Sequence, residues 1–358
     1  MIDPEVNGNA AVLVADTERL VPGEQLSGEV RIGPLMALPQ LLREMQVTPD
    51  LALQQAGVSP HLFDHAENRI RNGAVGRLLS VCSELTGRSD FGLMLGARFA
   101  LGNLGTLGSL MLNTATVGEA LRTLILHLHF FDRGAVPVLL KVGSTNVFLG
   151  YSLQHTPGSG VVQVADVAIA IAHRMLRELC GPGWHPEAVQ FSHGRPRDIE
   201  SYRRIFGPGV RFDCQLSGLS FSATWLAQAI AGADPARCER LTRVLQRAQS
   251  RGPLGFTEEV QCVLHQLLPG GAVSAEGVAR WFGISERTLR HRLQGENTRL
   301  QQLLAETRFE VARNLLRNTR LPMSQIAAAL CYTDAAVFSR AFHGWAGVSP
   351  RQWRAALA

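Results

Sequence analysis

Apolar residues recur at helical spacing over most of this chain and change to short runs only near its middle. Leu38, Leu41, Leu42 and Met45 form one stripe, and Thr48-Pro49 opens the next helix. Val75, Leu78, Leu79, Cys82 and Leu85 form another. Thr116-x-x-Glu119 has the form of a capping box ahead of Ala120, Leu121, Leu124, Ile125 and Leu128. The pattern predicts helix from Leu35 to about Phe131. The period then changes. Val136–Val142 and Asn146–Leu153 are apolar runs flanking Gly143-Ser144-Thr145, which predicts an antiparallel hairpin. Ala165–Leu179 predicts a long apolar helix closed by Gly181-Pro182. Strands are predicted at Ala188–Ser192, Arg211–Cys214 and Gly218–Phe221. Asp234-Pro235 starts a helix reaching about Gln249, with Leu241, Val244, Leu245 and Ala248 on one face.

These elements divide the chain. Residues 1–33 mix Gly, Pro, Asn and charge without period and read as a loose leader with one short ordered piece. Residues 34–250 form a mixed α/β unit large enough for its own core. Ser250-Arg251-Gly252-Pro253 marks a linker, placed at 251–255. Residues 256–358 are helical throughout, so the fold class is α+β with an all-α C-terminal domain.

The C-terminal domain carries one pattern twice, over Ser274–Leu293 and Met323–Phe342. Each copy has a short helix with a small residue at its centre (Ala279, Ala327), a tight turn, and a second helix that is apolar on one side. The small residue lets two helices cross closely, and the turn lets the second lie in a DNA major groove: two helix-turn-helix units. Between them, Leu300–Asn318 has Leu303, Leu304, Thr307, Val311, Leu315 and Leu316 on one stripe. Such a linking helix is nearly 30 Å long, close to one duplex turn of about 34 Å, so the two readers suit successive major grooves. In the first reading helix Ile284, Leu289 and Leu293 belong to the core side, leaving Arg287, Arg290 and His291 as candidate DNA contacts. Arginine is the natural bidentate partner of guanine. In the second, Phe338 and Phe342 face inward, and Ala335, Ala336, Ser339 and Arg340 face out. Two alanines offer only apolar contact, so this helix should read less sequence. Asp334 is expected to cap it, and Arg308 on the linking helix is expected to be structural.

The motif Ser285-x-x-Thr288-Leu289-x-x-Arg292-Leu293, with Arg308, Ala312, Leu315 and Leu316, begins a longer signature. Ile326-Ala327, Leu330, Tyr332, Phe338-Ser339-Arg340-Ala341-Phe342, Trp345, Gly347, Ser349-Pro350 and Trp353-Arg354 complete it. This segment resembles the DNA-binding domain of the AraC/XylS family of bacterial transcription regulators. Two positions depart from the family pattern. Cys331 stands where glycine is usual, so the second turn must bend without glycine's freedom. His291 stands where arginine is common.

The N-terminal unit is similar to the effector-domain type of ornithine-utilisation regulators in that family. It carries Asp90-Phe91-Gly92-Leu93-x-x-Gly96, Gly102-x-x-Gly105-x-x-Gly108, Thr116-x-x-Glu119-Ala120-Leu121, Pro186-x-x-Val189-x-Phe191, Tyr202-x-x-Ile205-Phe206-Gly207 and Val210-x-Phe212. This type is distinct from the cupin-like arm of the arabinose regulator. The resemblance implies a cytoplasmic homodimer that binds double-stranded promoter DNA, answers to a small organic effector and contacts RNA polymerase. A different reading is a constitutive DNA-binding regulator whose N-terminal domain is a protein-interaction module without a ligand.

Charge and composition narrow the alternatives. Residues 254–358 hold twelve arginines against eight acidic residues, so most of the net charge of +5 sits on the C-terminal part, as phosphate binding requires. No apolar run is long enough to span a membrane, and Asp3 and Glu5 do not suit a secretory signal. The six cysteines are scattered and are expected to be reduced. Gly102-x-x-Gly105-x-x-Gly108 is not a dinucleotide-binding spacing, and His127-x-His129 in a helix points its rings apart. No catalytic group, metal or cofactor is therefore expected. The effector should enter between the helices and the strands beginning near Val136, against a mostly apolar lining. His127, Arg133, Tyr151 and His173 are the polar candidates there for an effector with an apolar body and one polar end.

Overall fold

The hairpin predicted around residue 144 lies at the edge of the main sheet and sets how the rest packs. The computed structural model describes residues 29–128, 135–142, 145–153, 160–214, 216–250, 256–268, 273–318 and 321–356. Arg133, His129, the linker at 251–255 and residues 1–28 of the leader lie outside them. The described chain opens with strand β1 (Glu29–Arg31), which pairs antiparallel with β2 (Arg69–Arg71), Val30 opposite Ile70. Between them run α1 (Leu38–Glu44) and α2 (Pro49–Ala56). Both short strands fall where the pattern predicts helix or leader. Three residues with one fully apolar centre, Ile70, cannot display a period, and only the partner strand makes them a ladder.

Helices α3 (Asn72–Thr86), α4 (Phe91–Gly96), α5 (Thr106–Met111) and α6 (Val117–His127) follow. The α6 cap is half as expected. The Thr116 hydroxyl accepts from the Glu119 amide at 3.2 Å, but the Glu119 carboxylate reaches back to the amide of Ala115 rather than Thr116. Next come β3 (Ala135–Val142) and β4 (Asn146–Leu153), paired in the predicted register with Val142 opposite Asn146. Helix α7 (Val161–Cys180) is longer than predicted at both ends. Strand β5 (Ala188–Gln190), α8 (Glu200–Phe206), β6 (Val210–Arg211) and β7 (Gly218–Ser222) complete the layer. The sheet order is β3-β4-β7-β5-β6, antiparallel except for β5 against β6. Val147, Leu149, Val189, Leu219 and Phe221 point into a core with Leu121, Ile169 and Leu176 of α6 and α7. A second core gathers β2, α1, α2 and α3 around Leu38, Leu42, Leu53, Leu78 and Phe91.

Helix α9 (Pro235–Ser250) starts at Asp234, whose carboxylate accepts from the amides of Ala236 and Arg237 at 2.9 and 3.1 Å. Its predicted apolar face is narrower than expected. Leu245 is buried, whereas Val244 is 52% exposed. The helix packs against α5, and Val244, one residue from Leu245, is turned to solvent.

The C-terminal domain is all helical. It consists of α10 (Phe256–Leu267), α11 (Ala275–Trp281), α12 (Glu286–Gly295), α13 (Leu300–Asn318), α14 (Met323–Ala329), α15 (Ala335–Ala346) and α16 (Pro350–Ala355). Val260, Val263 and Leu264 of α10 pack with Val278, Ala279, Leu289, Leu293 and Leu303. Leu315, Leu316, Ile326, Ala327, Leu330, Phe338 and Phe342 form the other core. Each helix-turn-helix unit thus has its own core, and α13 is a wall of both. Among the described residues no helix is long and apolar enough to cross a membrane, and no three His, Cys, Asp or Glu side chains converge on a metal position.

Candidate nucleic-acid interface and ligand cleft

Local chemistry sets the two reading helices. Ser285 caps α12 by accepting from the Thr288 amide at 3.1 Å, and Asp334 caps α15 by accepting from Ala336 and Val337, both at 2.8 Å. Those amides hold the Asp334 carboxyl below the usual carboxylate range. The turn before α12 uses Gly283 at φ +63°. The turn before α15 uses Cys331 at φ +60°, the left-handed region where a side chain costs about 1–2 kcal/mol. The Cys331 thiol approaches the Leu268 carbonyl at 3.1 Å, which holds the turn against α10.

With Leu289 and Leu293 buried, α12 presents Arg287, Arg290 and His291 to solvent. On α15, Phe338 and Phe342 are buried, Ala336 and Arg340 are exposed, and Ala335 and Ser339 are half-buried. The Ser339 hydroxyl donates to the Ala335 carbonyl at 2.7 Å, so it is engaged within its own helix. Arg308 lies 4.7 Å from the centre of the Tyr332 ring, a cation–π contact and not an ion pair. Arg292 similarly lies over Phe256 at 5.2 Å.

The N-terminal domain holds a cleft of about 1120 Å³, open mouth included, between its two cores. Helix α3 contributes Asn72, Val75 and Leu79, α6 contributes Leu124 and Leu128, and β4 contributes Leu149, Gly150 and Tyr151. Helix α7 closes it with Val164, Val167, Ala168, Ile171, Ala172 and Met175. This lies where the sequence places an effector. Of the polar residues expected there that the structure describes, only Tyr151 lines it. His127 is buried instead against Trp281 of α11, ring centres 5.7 Å apart, and burial pushes its imidazole down to about 4. His173 sits one residue past Ala172, turned toward Trp184 and Phe206 at 5.5 and 5.2 Å. Burial, then the charges of Arg177 and Arg174, pushes it down to about 4.

Strand β4 has a second face. Phe148, between core residue Val147 and cleft residue Leu149, packs with Leu216 against Leu268, Val311 and Leu315 of the C-terminal domain. Its ring lies on bare backbone. A Cβ on Gly150 or Gly218, which pair across the sheet, would come within 2.6 and 2.4 Å of it. Sequence reasoning missed Phe148. Its signal is the unbroken apolar run Val147-Phe148-Leu149, which marks a strand buried on both faces.

Two descriptions of known families fit this architecture. A helix-turn-helix domain model matches residues 278–356. The model of the N-terminal arabinose-binding domain of AraC transcription regulators matches residues 47–230, half of the chain. The chain belongs to the AraC/XylS family of transcription regulators. This regulator is 30% identical over 338 residues to the HTH-type transcriptional regulator VirS of Mycobacterium tuberculosis, covering 92% of this chain and 98% of that one. It is 27% identical to the ornithine utilization regulator of Pseudomonas aeruginosa, over 89% and 94% of the two chains. The crystal structure of transcriptional regulator CdpR from Pseudomonas aeruginosa aligns at 25% identity over 90% of this chain and 96% of that one, with a TM-score of 0.45. The regulator therefore joins an effector-type N-terminal domain to a DNA-binding domain.

Proposed function

We propose that this regulator is ligand-responsive, with a small organic effector in the N-terminal cleft altering how its two helix-turn-helix units engage promoter DNA. The observation that carries this is the two-sided strand β4. Leu149 and Tyr151 face the cleft while Phe148, the residue just before Leu149, packs on the linking helix α13. A ligand that shifts β4 then has different contacts in the two states, as any population shift requires. His127 against Trp281 extends the same seam to the first reading helix pair through α6. The domain limits of 34–250 and 256–358, an N-terminal domain of the ornithine-regulator type, and a homodimer contacting RNA polymerase belong to this reading.

Arg287, Arg290 and His291 are proposed as the main base and phosphate contacts, with Ala335, Ala336, Ser339 and Arg340 as the weaker second set. Full-length protein binding to its promoter duplex should weaken steeply with salt, with about −0.9 in log–log slope per phosphate neutralised. A slope near zero would rule out the reading. Arg290→Ala should cost about 1–3 kcal/mol on the cognate site and relax preference at one or two base pairs. Ala335→Ser should change little, since only a methyl is at stake. A larger loss of specificity from the alanine swap would reverse the assignment of the two readers.

A further inference from the structure

We propose that the effector of this cleft is a straight hydrocarbon chain with a single polar head, and neither a sugar nor an amino acid. The inference rests on the ligand-responsive reading above and names its ligand class. Three features of the lining carry it.

The first is the donor set. Among the described residues, not one that lines the cleft is Asp, Glu, Lys, Arg or His, and the only polar side chains there are the Asn72 carboxamide and the Tyr151 phenol, both half-buried. A sugar brings a hydroxyl on nearly every carbon, and each one buried without a partner is costly. A zwitterionic amino acid needs counter-charges for its ammonium and carboxylate, and the lining has none. The family model matched by this domain carries arabinose in its description, but the cleft does not hold the groups that would recognise a pentose.

The second feature is shape. Of the residues α7 presents, all but Ile169 (Val164, Val167, Ala168, Ile171, Ala172 and Met175) form an i, i+3, i+4 stripe over three turns. Such a stripe is about 16 Å long. Asn72, Val75 and Leu79 of α3 and Leu124 and Leu128 of α6 line the same space, so the stripe offers an extended ligand one continuous apolar wall. The third feature is texture. Apart from Asn72 and Tyr151 the described wall side chains are aliphatic, and none of these offers a ring to stack on a flat aromatic ligand. An extended alkyl chain matches a long aliphatic wall, with its polar head at Asn72, at Tyr151 or in the water of the mouth.

The test uses the full-length protein and a homologous series of straight-chain alkanoates and alkanols from hexyl to tetradecyl, kept below their micelle concentrations. Arabinose and ornithine serve as the contrasting probes. Thermal melting and promoter-DNA affinity are read for each. The expected result is a melting temperature that climbs with chain length, each methylene tightening binding about fourfold until the chain outgrows the cleft. Head-group identity should matter far less, and arabinose and ornithine should leave melting unchanged. Ala168→Phe, which adds bulk in the middle of the stripe, should weaken the tightest chain by about tenfold. If that variant does not fold, the chain-length series on the unaltered protein decides the matter. Stabilisation by arabinose or ornithine, or by none of the alkyl probes, overturns the ligand class while leaving the ligand-responsive reading standing. Chain-length-dependent stabilisation without any change in DNA affinity supports the ligand class and overturns the ligand-responsive reading.

Discussion

Replacing Asp166 by alanine is expected to cost about 3–5 kcal/mol of folding stability, because it strands two buried polar partners. Asp166 is fully buried on α7, on the side away from the cleft wall. One carboxylate oxygen lies 3.1 Å from Nε2 of His193, and the other accepts from the Tyr202 hydroxyl at 2.7 Å. Nδ1 of His193 lies 2.9 Å from the Gly194 carbonyl. Both ring nitrogens thus face acceptors, an arrangement that a protonated ring satisfies. Burial by itself lowers His193, but the Asp166 carboxylate outweighs it and the net shift is upward. Burial pushes the Asp166 carboxyl up as well. Both groups have folded pKa values above their unfolded ones, so both contribute stability that is lost as pH rises. For His193 that contribution is complete below about 6.5 and fades as pH climbs through its raised folded value. Urea unfolding of the two proteins should therefore show the gap between them widest near pH 6 and narrower near pH 9. A gap that is flat or grows with pH would refute a protonated His193 held by the Asp166 carboxylate.

Phe338→Ala should cost about 3–5 kcal/mol and disable the second helix-turn-helix unit. Phe338 is fully buried, with its ring 5.8 Å from Phe342 and 5.9 Å from Tyr332. It seats the reading helix α15 on α13 and α14, and its truncation leaves a cavity inside that core. Denaturant unfolding followed at tryptophan should report the loss, since Trp345 and Trp353 pack around the same core. DNA affinity should fall toward what α12 alone supplies. A variant with unaltered stability would show that this core does not position α15.

The C-terminal domain was legible almost residue by residue. Its helices have caps, its core positions repeat at helical spacing, and its turns are short, so the information is local. The strained turn at Cys331 could be foreseen for the same reason: a tight turn at that point demands positive φ whatever residue occupies it. The hairpin of β3 and β4 was equally local. The failures share a cause of the opposite kind. Strands β1 and β2 exist only because each finds the other across nearly forty residues of chain. Val244 was assigned to a packed face because periodicity cannot say how wide a groove the neighbouring helix offers. His127 and His173 were candidates for the cleft because both lie on helices near it, yet the turn of each helix sends them to the domain seam and to the core.

Residue order alone was enough for the two-part organisation, the two reading helices with their outward Arg287, Arg290, His291 and Arg340, and the mostly apolar character of any internal site. These follow from composition, caps and periodicity over a few turns. Only the tertiary structure decided which apolar residues enclose a cleft and which fill a core, since both look alike as a stripe. Only it brought Phe148 against Val311 and Leu315, across more than one hundred and sixty residues of chain. That contact depends on the pleat sending Phe148 to the face opposite Leu149, and on Gly150 and Gly218 leaving room for its ring. The physical reason is that a side chain's alternation is local, whereas the partner that covers each face is chosen by packing.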